Sequence, residues 1–277
     1  MQTKQDLIND LIRIGLKEED TVFVHSSYKA IAGDRGIDGG ADTIIDALIE
    51  YFGEKGLVVF PSLTWKHGWL INDKGEMTNP ANGRPEGFKE YGTNFDVKNS
   101  PCHDLGIIPE LFRQREGVCR SLCPRSSVEA YGKDAKKFCQ GHEKTSAFDW
   151  SSPWGRLYQR DAKFLFIGTG IACNTFMHVL EEKANVPGLI VDYVFKFTVT
   201  DYDGKVYPVE YKRHFPGHNH FYDKVEGEFI KEGIAKVDKF GSADVHIIDG
   251  KKETDYMMQR LKDEPYLFTK GYCGNEE

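Results

Sequence analysis

Residues 165–183 read LFIGTGIACNTFMHVLEEK, and Thr175, His178, Glu181 and Glu182 within them have types and spacing suited to acid–base chemistry. At about 100° per residue of a helix these four fall within one arc, so an imidazole lies beside carboxylates three and four residues on. A carboxylate bonded to one ring nitrogen fixes the tautomer and raises the basicity of the other, which suits a general base near neutral pH. The same spacing also suits a solvated pair on a helix face. The pair's place in the chain points to function. An apolar run at 164–167, a break at Gly168-Thr169-Gly170 and a helical pattern opening near Asn174 spell a strand, a tight turn and a helix start. Open α/β sheets place their ligands at such strand ends.

The elements that must position this stretch alternate in the α/β manner. An amphipathic helix at 1–16 precedes a strand at 21–24, which runs into His25-Ser26-Ser27. A Gly-rich loop over 32–40 then opens a helix at Ala41, and a strand at 57–60 leads into Pro61-Ser62-Leu63-Thr64. The stretch 67–99 is irregular and aromatic, an excursion that can wall a pocket. Helices are predicted at 105–114, with Asp104 at its start, at 134–140 and at 155–159. Beyond Pro187 the pattern changes to an antiparallel hairpin, 193–200 and 206–211 around Asp203-Gly204, followed by a helix at 222–232, a strand at 245–248 and a helix at 254–262. The reading is one domain over 1–277, with 188–277 as a C-terminal annex on the acceptor side.

Composition narrows the function. A length of 277 residues and 40% hydrophobic content suit one large soluble α/β core. No apolar run approaches the ~20 residues of a membrane span, and no secretory signal pattern opens the chain, so a cytoplasmic protein is expected. A net charge of −7 argues against non-specific nucleic-acid binding. The six cysteines form no C-x-x-C pair, so reduced thiols and no structural zinc are expected. Cys173, just before the catalytic helix, suits either a small buried residue or an acyl-carrying nucleophile for a ping-pong reaction. The loop ending at Gly39 and Gly40 suits a phosphate cradle at a helix start as well as an ordinary turn.

Taken in order, several segments resemble one family. His25-Ser26-Ser27 with Gly39-Gly40, Phe60-Pro61-Ser62-Leu63-Thr64, Asp104-Leu105-Gly106 with Pro109-Glu110, Arg120-Ser121 with Pro124 and Ser127-Val128, and Gly168-Thr169-Gly170 with Asn174-Thr175, His178 and Glu181-Glu182 are similar to the aminoglycoside 3-N-acetyltransferases over nearly the whole chain. That resemblance implies a central mixed sheet flanked by helices, acetyl-CoA as donor and no metal, and an amino group on a sugar or aminocyclitol ring as acceptor. It implies catalytic roles for His178, Glu181 and Thr175, and donor contacts at His25, Ser26, Ser27, Gly39 and Gly40, with Ser127 and Val128 as candidates for the pantetheine. Acceptor-side candidates are Asp104, Arg120, Thr64, Lys212, Arg213 and His214.

Two departures from the family pattern shape the expected substrate. Cys123 stands where many members carry His, and a basic run of Lys212, Arg213, His214, His218, His220 and Lys224 lies in the annex. A basic rim suits an anionic acceptor, so the expectation is a nucleotide-linked amino sugar of surface-polysaccharide synthesis, with an aminoglycoside antibiotic as the alternative. A catalytically silent CoA- or sugar-binding protein is the reading from another class. Homodimer formation is compatible with each.

Overall fold

The apolar runs that end in small polar residues lie side by side. In the computed structural model, β1 (Thr21–Ser26), β2 (Leu57–Pro61) and β9 (Lys163–Ile167) are parallel neighbours at the centre of a seven-stranded sheet. Residues 1–80, 83–187, 189–214 and 221–268 are described, with backbone alone for 190–193 and 211–214. Antiparallel strands extend the sheet on both sides, β8 (Val128–Gly132) and β7 (Cys119–Arg120) beyond β2, β13 (Ala243–Asp249) and β12 (Ala235–Phe240) beyond β9. The sheet is therefore mixed, with the order β12-β13-β9-β1-β2-β8-β7.

Strand alternation divides the core into two layers. Val22, Val24, Val58, Phe60, Leu165 and Ile167 pack with the apolar sides of α1 (Lys4–Arg13), α3 (Ala41–Phe52) and α4 (Ile107–Phe112). Phe23, Val59, Phe164 and Phe166 face the other way, against Trp154 of α6 (Pro153–Gln159), Met177 and Leu180 of α7 (Met177–Lys183), and Met257 of α9 (Gly250–Asp263). Shorter helices are α2 (Tyr28–Ala32), α5 (Ala135–Cys139) and α8 (Glu226–Lys231). Caps fix several starts: Thr3 and Asp6 form a capping box on α1, Ser152 caps α6 ahead of Pro153, and Asp249 accepts from Lys251 and Lys252 N–H at α9. No described helix is long and apolar enough to cross a membrane.

The hairpin predicted around Asp203-Gly204 is present as β10 (Ile190–Thr200) and β11 (Val206–His214), and β6 (Asn94–Asp96) adds a parallel strand to it. Within the excursion, β3 (Leu70–Ile71), β4 (Met77–Thr78) and β5 (Lys89–Glu90) form a small sheet of their own. The expected annex is narrower than 188–277, because β12 and β13 complete the main sheet and α9 covers it. β12 is hard to see in sequence: it is an edge strand, AKVDKF, with mostly exposed polar side chains. The helix expected over 105–114 shrinks to Ile107–Phe112, since Asp104 and Gly106 have φ of 57° and 80° and hold the chain outside helical geometry.

Candidate active site

Parallel β1, β2 and β9 present their C-terminal ends along one edge of the sheet, and each leads into a candidate segment. After β9 the chain turns at Gly168, whose φ is 67° and where a Cβ would press into the Cβ of Ala30. One 3-10 turn (Ile171–Cys173) later, Asn174 starts the approach to α7: its Oδ1 accepts from Phe176 N–H at 3.1 Å, and its Nδ2 donates to Glu253 Oε1 of α9 at 2.6 Å.

On α7, His178 and Glu181 are both buried and meet at 3.3 Å, Nδ1 to Oε2. A third group, absent from the sequence reading, joins them. Tyr222, in a 3-10 turn at Tyr222–Val225, donates its hydroxyl to Glu181 Oε2 at 2.8 Å, and its oxygen lies 2.9 Å from His178 Nδ1. Burial and the Glu181 carboxylate push the Tyr222 phenol well above its usual range, so it remains protonated and serves as donor. With that proton directed to Glu181, the phenol oxygen accepts from Nδ1–H, which assigns the imidazole proton to Nδ1 and makes Nε2 the basic nitrogen. Phe148 packs on the His178 ring at 4.8 Å between centroids. Tyr222 lies 44 residues from His178, and no spacing rule links them.

Tyr222→Phe keeps the ring against Phe268 and removes the hydroxyl. A hydrogen bond to a charged group is worth about 1.5–3 kcal/mol, so kcat is expected to fall by about tenfold or more, measured by steady-state thiol release. Unchanged kcat would remove Tyr222 from the network.

Glu182 faces a different partner: it accepts from the Ser146 hydroxyl, and burial with Asp149 nearby pushes its carboxyl up against that hydrogen bond. Thr175 is buried at the foot of α7, its hydroxyl 3.4 Å from the Cys173 carbonyl. Cys173 is an exposed free thiol whose pKa is raised by partial burial. A nucleophilic thiol needs the opposite shift.

Just past the end of β1, Ser27 caps α2, accepting from Ala30 N–H at 3.3 Å. Ser26 Oγ and Thr169 Oγ1 are buried without a hydrogen-bond partner among the described residues. Ser26 lies opposite Ile167 in the β1–β9 register, so these two orphan hydroxyls belong to adjacent strand ends. Thr169 was readable as part of the Gly-Thr-Gly turn, yet the sequence reading gave it no role. Gly39 and Gly40, with φ of 76° and 72°, start the twelve-residue α3, which has no side-chain cap. His25 is stacked on Phe166 at 5.1 Å, and burial drives it down to about 3, so the ring is neutral and buried beside the strand end.

Other candidates are built into the protein interior. Arg120 is buried, donating to Ser127 Oγ at 3.1 Å, to the Ser62 carbonyl at 2.8 Å and to the Ser100 carbonyl. Ser127 Oγ donates to the Ser62 carbonyl, and Val128 N–H donates to Ser121 Oγ at 2.9 Å. Thr64 donates to the Pro124 carbonyl, and Asp104 is exposed in an ion pair with Lys66 at 2.9 Å. The structure thus holds His178 and Glu181 on α7 with Thr175 just before it, ties Arg120 and Ser127 to the Ser62 carbonyl in a buried network, and bonds Thr64 separately to the Pro124 carbonyl. Lys212, Arg213 and His214 end β11 with backbone alone described, while His218 and His220 lie outside the described residues.

A family model described as aminoglycoside 3-N-acetyltransferase matches residues 23–262. The prophage-derived aminoglycoside N(3')-acetyltransferase-like protein YokD of Bacillus subtilis (strain 168) is 30% identical over 261 residues, covering 92% of this chain and 90% of its own length. The chain belongs to the aminoglycoside 3-N-acetyltransferase family. As a member it is an acyltransferase with acetyl-CoA as donor. Aminoglycoside N(3)-acetyltransferase VII of Streptomyces paromomycinus is 26% identical, covering 92% of this chain and 89% of its own. The crystal structure of YokD superposes with a TM-score of 0.77 at 28% identity, covering 95% of this chain and 94% of that one.

These similarities overturn the expectation of a nucleotide-linked acceptor, since the family and the Streptomyces relative are named for aminoglycosides. The error has a physical source. Glu210, which precedes the basic run, pairs with Lys196 at 3.4 Å, and Lys224 at its end donates to the Leu267 carbonyl at 3.2 Å, so part of the charge along this stretch is met within the protein. Glu182 has the Asp149 carboxylate nearby, from a separate segment of the chain.

Proposed function

We propose that the chain transfers the acetyl group of acetyl-CoA to an amine of an aminoglycoside, with His178 as general base. The observation that carries this reading is the buried Tyr222–Glu181–His178 network on the helix that follows a parallel strand end. An ammonium has no lone pair, so the acceptor nitrogen must shed a proton to attack the thioester carbonyl. Nε2 of His178 takes that proton. Glu181, held by Tyr222, stabilises the imidazolium that results. As the nitrogen–carbon bond forms, the oxyanion is received at the foot of α7, where Thr175 offers a hydroxyl; the carbon–sulfur bond then breaks and CoA leaves as the thiol. A thioester is already activated, so transfer between two bound substrates needs no acyl-enzyme.

The donor lies along the β1–β9 edge, where Ser26 and Thr169 offer unpartnered hydroxyls and the Gly39-Gly40 start of α3 offers backbone N–H groups to phosphate oxygens. The acceptor lies on the side of Glu182 and Asp149, whose charge suits a polyamine. Residues 1–277 act as one domain, with β6, β10 and β11 walling that side.

The direct test is thiol release from acetyl-CoA by the purified chain against a panel of aminoglycosides. Turnover with at least one deoxystreptamine-type acceptor, with the acetyl group located on a ring amine by mass spectrometry and NMR, is the expected result. Thiol release no faster than without acceptor, across the whole panel, would overturn the reading.

A further inference from the structure

Glu253 is a carboxyl that the transfer mechanism does not use, and its surroundings are unusual. It sits in the first turn of α9 with 0% exposure. Oε1 accepts from Asn174 Nδ2 at 2.6 Å, whereas Oε2 is buried with no hydrogen-bond partner among the described residues. Asn174 turns its other amide atom to Phe176 N–H, at the threshold of the helix that carries His178. One carboxyl is therefore linked through a single side chain to the start of the catalytic helix.

Charged and titratable groups on the elements packed against it are engaged elsewhere. On α6, Arg156 donates to the carbonyls of Phe138 and Gln140, and Tyr158 turns to Asp255. On α7, His178 and Glu181 bond to Tyr222, Glu182 to Ser146, and Lys183 lies over the Trp150 ring. On β13, His246 pairs with Glu226 and Asp249 caps α9; on α9 itself, Lys251 lies over Tyr158 and Lys252 near Asp249. An ionised Glu253 would have one amide donor and the helix start to stabilise it, against complete loss of water.

Building on the acetyl-transfer reading, we infer that Glu253 is a positioning residue: its neutral carboxyl, through Asn174, holds the start of α7 in the geometry that aims His178, and its ionisation releases that hold. The neutral form accepts from Asn174 through its carbonyl oxygen and leaves no charge inside the core. Losing the proton places an uncompensated charge beside Phe176 and the strand-end aromatics, and the relief available is movement of α9 and Asn174 toward water. Burial outweighs the Asn174 hydrogen bond and pushes this carboxyl up to about 8, which puts the change just above neutral pH.

The test compares pH profiles of kcat for the whole chain and Glu253→Gln. The amide keeps the shape and the oxygen that accepts from Asn174, and it cannot ionise. Titration of His178 and of the acceptor amine contributes equally to both profiles, so the ratio of the two isolates Glu253. The expected result is a wild-type kcat that falls, relative to the variant, by about tenfold per pH unit above pH 8. A ratio independent of pH would overturn the inference.

A second readout does not depend on the transfer reaction. A carboxyl whose folded pKa is raised holds its proton more tightly when folded, so stability is lost as pH rises from its ordinary value near 4.5 to about 8 and is level above that. Wild-type Tm should therefore decline across that window relative to Glu253→Gln. Parallel Tm curves would overturn the neutral buried carboxyl even in a protein with no measurable acetyl transfer, whereas divergent Tm curves without turnover would instead sink the catalytic reading. Glu253→Met, also uncharged, serves both comparisons where the amide variant does not accumulate.

Discussion

His178→Ala is expected to lower kcat for acetyl transfer by about 10²–10⁴-fold, the range that a positioned general base contributes. The size of the loss follows from the order of events. Aminoglycoside amines are largely protonated at neutral pH, and the attacking nitrogen must lose a proton as it bonds to the thioester carbon. Without His178 only water or buffer can receive that proton, and neither is held at the nitrogen. Binding should be spared: acetyl-CoA affinity by calorimetry is expected to match wild type, because the proposed donor edge at Ser26, Thr169 and Gly39-Gly40 belongs to other elements. Loss of kcat with intact donor binding separates a chemical role from a collapsed site. Wild-type turnover in His178→Ala, together with loss in Cys173→Ala, would replace the direct mechanism with a thiol-borne acyl group. The raised thiol of Cys173 argues against that outcome.

Gly168→Ala should be the most damaging single-methyl change near the site. The position requires φ of 67°, where side chains with a Cβ are strained, and the added carbon would collide with Ala30 and crowd Ala243 at 3.2 Å. Strain of this backbone kind costs about 1–3 kcal/mol. Overpacking adds about 1–3 kcal/mol, so about 2–6 kcal/mol of stability should be lost in urea unfolding. The methyl group would also push on α2, whose cap Ser27 is part of the donor edge. Acetyl-CoA binding is therefore expected to weaken in any fraction that remains folded. A variant with wild-type unfolding midpoint would show that the β9 turn has room to move.

The His178–Glu181 contact was legible because helical spacing is a local property. His178 and Glu181 are three positions apart, and α7 keeps them in reach whatever surrounds it. The short apolar runs ending in Ser, Thr and Gly were legible for the same reason, since a buried parallel strand reads as a continuous apolar run. Their mutual arrangement was not. That β12 and β13 belong to the main sheet follows from hydrogen bonds between residues about 80 apart, such as Ile247 and Leu165.

Burial was the property that sequence reading judged least well. Arg120, Ser127 and Thr64 are polar residues in segments that resemble the family's, and polarity suggested contact with a ligand. Arg120 donates to the Ser127 hydroxyl, and the other hydrogen bonds of the three close on backbone carbonyls within the core, because a buried polar group must find a partner and the chain supplied one. His25 shows the converse: it looked like a donor to an anion and is a neutral ring stacked on Phe166.

The sequence by itself determined the family, the strand–turn–helix that carries His178, and the His178–Glu181 pair, all of which depend on residues close together in the chain or on blocks in a fixed order. Tertiary structure alone decided that Tyr222 joins His178 and Glu181, that Glu253 is a buried carboxyl tied through Asn174 to the start of α7, and which polar candidates are buried. Those outcomes depend on desolvation and on contacts between distant segments, and neither is set by residue type or by spacing along the chain.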